Sequence, residues 1–229
     1  NYLHASPFEN FTFDILHGVN AQVDADMYIS PRGDNHNSGL SPDLPKKTIS
    51  GALSILSTQK QHTLYLDKGE YSANSNGERF PVILPDRVSL EGHPEFATVL
   101  DAKGKSEAIR ISHANQVNIS GLTITGASQR AVYCDNSSPS IRNVVITRNN
   151  GTGFYCCNNS APVLSNVNIS RNMNGGIYCL NSSIRVFNSG IGNNKAYSGA
   201  GVYLSYSNAY FRNVNIMENV TPGGWYSGT

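Results

Sequence analysis

Between Ala108 and Asn219 the chain alternates apolar and polar residues in short runs, apolar at every second position, with Asn, Ser and Gly between the runs. That alternation is the period of a strand with one buried face, and no run is long enough for a helix. The runs fall into two columns. In the first, Gly121-Leu122-Thr123-Ile124, Asn143-Val144-Val145-Ile146, Asn166-Val167-Asn168-Ile169, Asn188-Ser189-Gly190-Ile191 and Asn213-Val214-Asn215-Ile216 align, so the isoleucines step by 22, 23, 22 and 25 residues. In the second, Ala108-Ile109-Arg110-Ile111, Ala131-Val132-Tyr133-Cys134, Gly153-Phe154-Tyr155-Cys156, Gly176-Ile177-Tyr178-Cys179 and Gly201-Val202-Tyr203-Leu204 keep the same frame. Two columns in register mark an internal repeat.

A unit of about 22 residues built from strands and turns cannot bury its apolar face alone, so it must stack on its neighbours. A coil of parallel strands satisfies this: equivalent positions lie one strand spacing apart, about 4.8 Å, and like side chains form ladders. Asn149, Asn172, Asn194 and Asn219 each follow a column isoleucine by three residues, which predicts amides bonded along the axis. Cys134, Cys156 and Cys179 share an inward column with Ile111 and Leu204 and are expected as buried free thiols. Cys157 breaks the alternation and is expected to face out as an exposed thiol.

Ahead of the repeats, Pro45 to Thr58 places Ile49, Ala52, Leu53 and Leu56 on one stripe, predicting an amphipathic helix that caps the unpaired end of the coil. Thr63 to Leu66, Pro81 to Leu84, Val88 to Leu90 and Thr98 to Leu100 then supply a first, irregular coil. The chain divides into an N-terminal arm or strand (1–26), a cap with irregular first coils (27–107) and regular coils (108–229). The last of these is expected to break off mid-coil, because Gly223-Gly224-Trp225-Tyr226-Ser227 repeats Gly175-Gly176-Ile177-Tyr178-Cys179. Self-association of the apolar arm with the open last coil of another molecule is the corresponding partner expectation.

These repeats resemble the right-handed parallel β-helix repeats of the pectin-lyase-like superfamily. The segment from Tyr28-Ile29-Ser30-Pro31-Arg32-Gly33-Asp34 through Pro45-Lys46-Lys47-Thr48-Ile49 is similar to the one that opens many such domains. The resemblance implies an all-β fold, a single-stranded right-handed parallel β-helix with an N-terminal helix cap. It also implies an extracellular address, and in the family's enzymes a groove for long acidic or neutral glycans, worked by Asp clusters with Arg or Lys as base. It implies no activity for this chain.

A net charge of +1 gives no electrostatic reason to expect nucleic acid or an anionic membrane as partner. No apolar run reaches the length of a membrane span. The six His residues show no ligand spacing, so no metal or cofactor is expected. In the loop around Arg32-Gly33-Asp34, the residues Asp34, Asn35 and Asn37 suit turn bonding better than cation binding. Carboxylates in the repeats are sparse: Glu107, Asp135 and Glu218 stand in different columns. A catalytic pair therefore has only the weak candidates Asp101 and Arg110.

The outward column is stronger: Arg110, Tyr133, Tyr155, Tyr178, Tyr203 and Tyr226 form a stripe that can contact a glycan or a partner chain, or can simply stiffen the sheet. Asn-X-Ser/Thr glycosylation candidates occur at Asn10, Asn118, Asn136, Asn150, Asn158, Asn168, Asn181 and Asn219. The sequence reads as an extracellular structural or adhesive module, a filament or surface-glycoprotein subunit; the alternative is a polysaccharide lyase or hydrolase with its site in the first coils or in further sequence.

Overall fold

A computed structural model describes residues 22–93, 95, 97–105 and 107–221. Asn10, Tyr226 and all of the arm before residue 22 lie outside the described residues, as does the expected last strand after 221. In chain order the elements are β1 (Met27–Ile29), α1 (Ile49–Leu53), β2 (His62–Leu66), β3 (Gly69–Tyr71), β4 (Val82–Leu84), β5 (Val88–Glu91), β6 (Thr98–Asp101), β7 (Glu107–Ser112) and β8 (Asn118–Thr125). They continue with β9 (Arg130–Asp135), β10 (Ser140–Thr147), β11 (Thr152–Cys157), β12 (Val163–Ser170), β13 (Ile177–Leu180), β14 (Ser183–Gly192), β15 (Val202–Ser205) and β16 (Asn208–Met217).

The strands wind into a parallel β-solenoid of about seven turns. A six-stranded sheet runs β15-β13-β11-β9-β7-β4, and a ten-stranded sheet follows β1-β2-β5-β8-β10-β12-β14-β16 with β3 and β6 attached. Each regular coil is one strand of the smaller sheet and one long, bent strand of the larger. The isoleucine column is in register across the bent strands: Ile124 pairs with Ile146, Ile146 with Ile169, Ile169 with Ile191 and Ile191 with Ile216. Its inner members join one continuous buried core.

Three corners turn each coil, and each needs a residue in the left-handed region. Gly121, Asn143, Asn166, Asn188 and Asn213 bend the long strands at φ of 69°, 52°, 53°, 49° and 55°. A second corner uses Arg148, Arg171, Asn193 and Glu218, and a third His113, Asn136, Asn158, Asn181 and Tyr206. A Cβ disfavours this conformation, and Asn tolerates it better than most side-chain-bearing residues. Two of the chain's repeated Asn columns, Asn143 to Asn213 and Asn136 to Asn181, therefore report its corners.

Two ladders satisfy the backbone where strand pairing cannot. Asn149 Nδ2 donates to Asn172 Oδ1 (2.8 Å), Asn172 Nδ2 to Asn194 Oδ1 (3.0 Å) and Asn194 Nδ2 to Asn219 Oδ1 (3.0 Å). The same oxygens accept the backbone N–H of the preceding coil's ladder residue. A second ladder was not anticipated: the backbone N–H groups of Ala114, Ser137, Ser160 and Ser182 donate in turn to the hydroxyls of Ser137, Ser160, Ser182 and Ser207 (3.0–3.2 Å). Gly153, Gly176 and Gly201 stand where the Asn ladder passes closest; a Cβ on Gly153 would lie 2.7 Å from Asn172 Nδ2.

The cap is smaller than its stripe suggests. Helix α1 has five residues, started by Thr48, whose hydroxyl accepts the Gly51 N–H (2.9 Å), and by buried Glu78, whose carboxylate accepts those of Ile49 (2.6 Å) and Ser50 (3.1 Å). It stops because Leu56 forms a parallel bridge with Val23: Val23 N–H donates to the Ile55 carbonyl and Ser57 N–H to that of Val23. The chain around Val23 to Asp26 thus already belongs to the first turn, with Asp24 held by Lys60 and His62. The loop carboxylate and amides of Asp34, Asn35 and Asn37 bond to His36 N–H, to the Lys47 and Thr48 N–H groups and to the Pro45 carbonyl, fastening the loop to the helix.

The cysteine column differs from expectation in one respect. Cys134, Cys156 and Cys179 are register partners and fully buried, but Cys156 and Cys179 are disulfide-bonded and only Cys134 keeps a thiol in that column. Parallel pairing brings the Cα atoms of Cys156 and Cys179 to 4.9 Å, within the range a disulfide spans.

Candidate ligand-binding face

The outer face of the six-stranded sheet carries the outward column, because strand pairing sets Arg110 against Tyr133, Tyr133 against Tyr155, Tyr155 against Tyr178 and Tyr178 against Tyr203. Ring centroids are 5.7, 4.9 and 4.5 Å apart, with planes 41°, 7° and 18° from parallel. The faces of the inner rings therefore cover one another. What the stripe offers a ligand is a row of ring edges and hydroxyls rather than a series of open platforms. Burial raises the pKa of Tyr133, Tyr155 and Tyr178 above the ordinary phenol value, so these hydroxyls stay neutral and can donate as well as accept.

At the head of the stripe stands a charged group that the sequence reading did not assemble. Glu107 is 1 % exposed; its Oε2 accepts from Arg110 Nε and Nη2 (both 2.7 Å) and its Oε1 from Arg130 Nη1 (3.2 Å). A buried carboxylate is tolerable only with such partners. The Arg130 guanidinium also lies 4.8 Å from the Tyr133 centroid and 4.6 Å from that of Tyr155, and Arg110 lies 5.6 Å from Tyr133. Two cations against one carboxylate leave a net positive charge, and the arginine side chains reach solvent at 42 % and 33 % exposure. Beside Arg130 opens a cleft of about 480 Å³ lined by Gln129, Asn150, Thr152, Asn174 and Tyr155. A cation next to amide and hydroxyl groups is suited to a ligand that carries both carboxylates and hydroxyls.

Arg130 was legible in the repeat. Glu107, Arg130 and Thr152 each stand two residues before a column residue, Ile109, Val132 and Phe154, and pair across the strands. Extending the aligned column by two positions finds the pair.

Other expected site residues are not brought together. Asp101 belongs to the larger sheet and pairs with Lys103 (2.7 Å), whose ammonium also meets Glu70 (3.0 Å), while Arg110 is committed to Glu107 on the smaller sheet. They form no catalytic pair, because the coil places them on different faces. Cys157 does point off the outer face, yet it is 5 % exposed. The Tyr133 hydroxyl (3.5 Å) and the Asp135 carboxylate (3.7 Å) cover its sulfur. It is not an exposed thiol, and burial raises its pKa, keeping it protonated at neutral pH. In the native protein, Cys157 is expected to resist iodoacetamide, reacting only as fast as the coil opens; rapid labelling without unfolding would show the cover to be absent.

The glycosylation candidates sort by structural duty. Asn136, Asn158 and Asn181 are corner residues, and the serine ladder follows them. Asn219 is a half-buried ladder member whose amide donates to the Ile191 carbonyl (2.9 Å), a bond that a glycan on that nitrogen would compete with. Asn118 donates to Ser89 Oγ (3.3 Å), while Asn150 and Asn168 are exposed.

Residues 107–228 match the family described as "Right handed beta helix region", and residues 32–99 match "Protein of unknown function (DUF1565)". No curated protein sequence matches the chain. Among solved structures it is similar to the pectate lyase Pel9A, with TM-score 0.58, 12 % identity, 76 % of this chain and 55 % of that one covered. It is also similar to a rhamnogalacturonan lyase (0.53, 13 %, 85 % and 69 %) and to pectin methylesterase PemA from Erwinia chrysanthemi (0.55, 14 %, 87 % and 68 %). The chain spans little more than half the length of the pectate lyase. At these identities the shared property is the fold. Residues 107–228 make up more than half of the chain, and the chain belongs to the right-handed β-helix family.

Proposed function

We propose that this chain is an extracellular adhesive module that holds an acidic polysaccharide along the outer face of its six-stranded sheet. One observation carries the reading: Arg130, fixed between buried Glu107 and the Tyr133 and Tyr155 rings, borders the polar cleft at the head of the hydroxyl row. The cation would take a uronate carboxylate, and the amides and phenols the sugar hydroxyls. The regular coils repeat the phenols of Tyr133, Tyr155, Tyr178 and Tyr203 at one strand spacing, about 4.8 Å, so an extended polymer anchored at Arg130 and lying along the axis would meet a hydroxyl at each step. The solved pectate lyase and a pectin methylesterase in complex with a hexasaccharide support the choice of polymer.

The same likeness favours a second reading, a polysaccharide-active enzyme. Against it, the two carboxylates on this face are otherwise engaged: Glu107 with two arginines, and Asp135 with Asn158 Nδ2 (2.8 Å). The test is binding of polygalacturonate to the chain, with an uncharged polysaccharide as control. Arg130→Ala is expected to lower affinity about ten-fold, the value of one charge-assisted hydrogen bond, and added salt to weaken the wild type. Unchanged binding in the variant would sink the assignment of this face, and release of unsaturated or de-esterified sugars by the wild type would replace adhesion with catalysis.

A further inference from the structure

A second tyrosine column lies on the larger sheet. Pairing of β1 with β2 sets Tyr28 against Tyr65, and their rings stack with centroids 5.4 Å apart and planes 26° from parallel. Pairing of β2 with β5 sets Glu91 as the next partner of Tyr65. The column therefore reads ring, ring, carboxylate at one strand spacing, about 4.8 Å. Against it opens a cavity of about 410 Å³, lined by both rings, Pro42, Pro45, Asp67 and Glu91.

The six-stranded sheet shows the completed form of this arrangement. There the tyrosine column ends on Arg110, the neighbouring column holds the carboxylate Glu107, and the chain supplies the cation: Arg130 bridges that carboxylate and lies over two rings. In the second column the rings and the carboxylate are present, but the described residues lining the cavity include neither Lys nor Arg, and the basic group among them is the His93 imidazole, which makes no ion pair with Glu91. Glu91 makes no ion pair with a described residue. Asp67 adds a second negative charge, with its Oδ2 held by Ser30 Oγ at 3.2 Å. The Tyr65 hydroxyl is pushed above its usual pKa, first by burial and then by the charges of Asp26 and Glu91.

We propose that this cavity binds an organic cation, a guanidinium or primary ammonium on a short aliphatic stem. The charge would sit at the Tyr65 ring and against Glu91, with the stem along Pro42 and Pro45. The two carboxylates exclude anions, and the rings and prolines give the stem an apolar bed.

The proposal is tested by titrating n-butylguanidinium, n-butylammonium and uncharged n-butylurea into the whole chain while following the Tyr28 and Tyr65 ring resonances by NMR. Both cations are expected to shift these signals saturably, and butylurea is not. Glu91→Gln and Tyr65→Leu are each expected to weaken cation binding about five-fold, the combined scale of an exposed ion pair and a cation–π contact. Circular dichroism of the variants establishes that the coil is intact. Binding of butylurea as tight as that of the cations, no saturable shift with any probe, or full affinity in folded Glu91→Gln would overturn the assignment. If only the guanidinium binds, the site selects the planar group; if both bind, charge is sufficient.

Discussion

Replacing Asn172 with alanine is expected to lower the free energy of unfolding by about 4 kcal/mol, read as a fall in the urea midpoint. Asn172 has no solvent exposure. Its Oδ1 accepts both the backbone N–H of Asn149 (3.2 Å) and Asn149 Nδ2 (2.8 Å), and its Nδ2 donates to the Ile146 carbonyl (3.2 Å) and to Asn194 Oδ1 (3.0 Å). Alanine strands the Asn149 N–H in an interior that water does not reach and removes a donor from the Ile146 carbonyl and from Asn194 Oδ1, at about 1–3 kcal/mol for each lost partner. Aspartate at the same site should be worse at neutral pH, since it would bury a charge without a counter-ion. Asn166→Ala provides the scale. That residue is exposed, and its loss removes a corner residue at φ 53° and one exposed amide bond (3.3 Å), so about 1–2 kcal/mol is expected from the left-handed backbone alone. Equal effects of the two substitutions would mean that the ladder contributes no more than a corner.

What made most of the coil readable is that a side chain, inward or outward, must recur at the same angle in every turn. Ile124 to Ile216, Asn149 to Asn219 and Tyr133 to Tyr203 are columns because stacking leaves each side chain only one place to go. The misreadings have the same physical source. Alternation gives the direction of a side chain but not what lies over it, so Cys157 points out and is nevertheless covered by Tyr133 and Asp135. A helical stripe does not announce a distant partner, and Leu56 left the predicted helix for Val23. Serine is common in turns for local reasons, which hid the ladder of Ser137, Ser160, Ser182 and Ser207. Register placed Cys156 beside Cys179, but not the bond between them. For the candidate site, the tyrosines were legible as a stripe and their use was not: spacing puts the rings in a row, while only their orientation shows that they cover each other.

Gly176→Ala should be nearly as damaging as the loss of Asn172, although it adds a single methyl group. A Cβ there would meet the Gly201 carbonyl at 2.6 Å, Ile191 Cγ2 at 2.8 Å and Asn194 Nδ2 at 2.9 Å. The first contact is with the backbone of the following coil and cannot be relieved by a rotamer. The third is with the ladder amide that bonds to Asn219 Oδ1 and to the Ile169 carbonyl. Relief therefore requires either prising two paired strands apart or dislodging Asn194. The first gives up packing worth about 1–3 kcal/mol, and the second strands buried polar groups at a similar cost. Whichever route is taken, an expected loss of about 3 kcal/mol follows, the upper end of either range, because the backbone contact leaves little room for relaxation. Gly190→Ala separates this clash from any general penalty for replacing glycine in a strand. Nothing lies within 4 Å of a Cβ at that position, so alanine should leave stability unchanged or raise it by about 0.5 kcal/mol through a less flexible unfolded chain. If Gly176→Ala were as harmless as Gly190→Ala, the coils would not be held at the spacing that sets the Asn ladder inside and the tyrosine row outside, and the rigid face proposed for the polysaccharide would lose its physical basis.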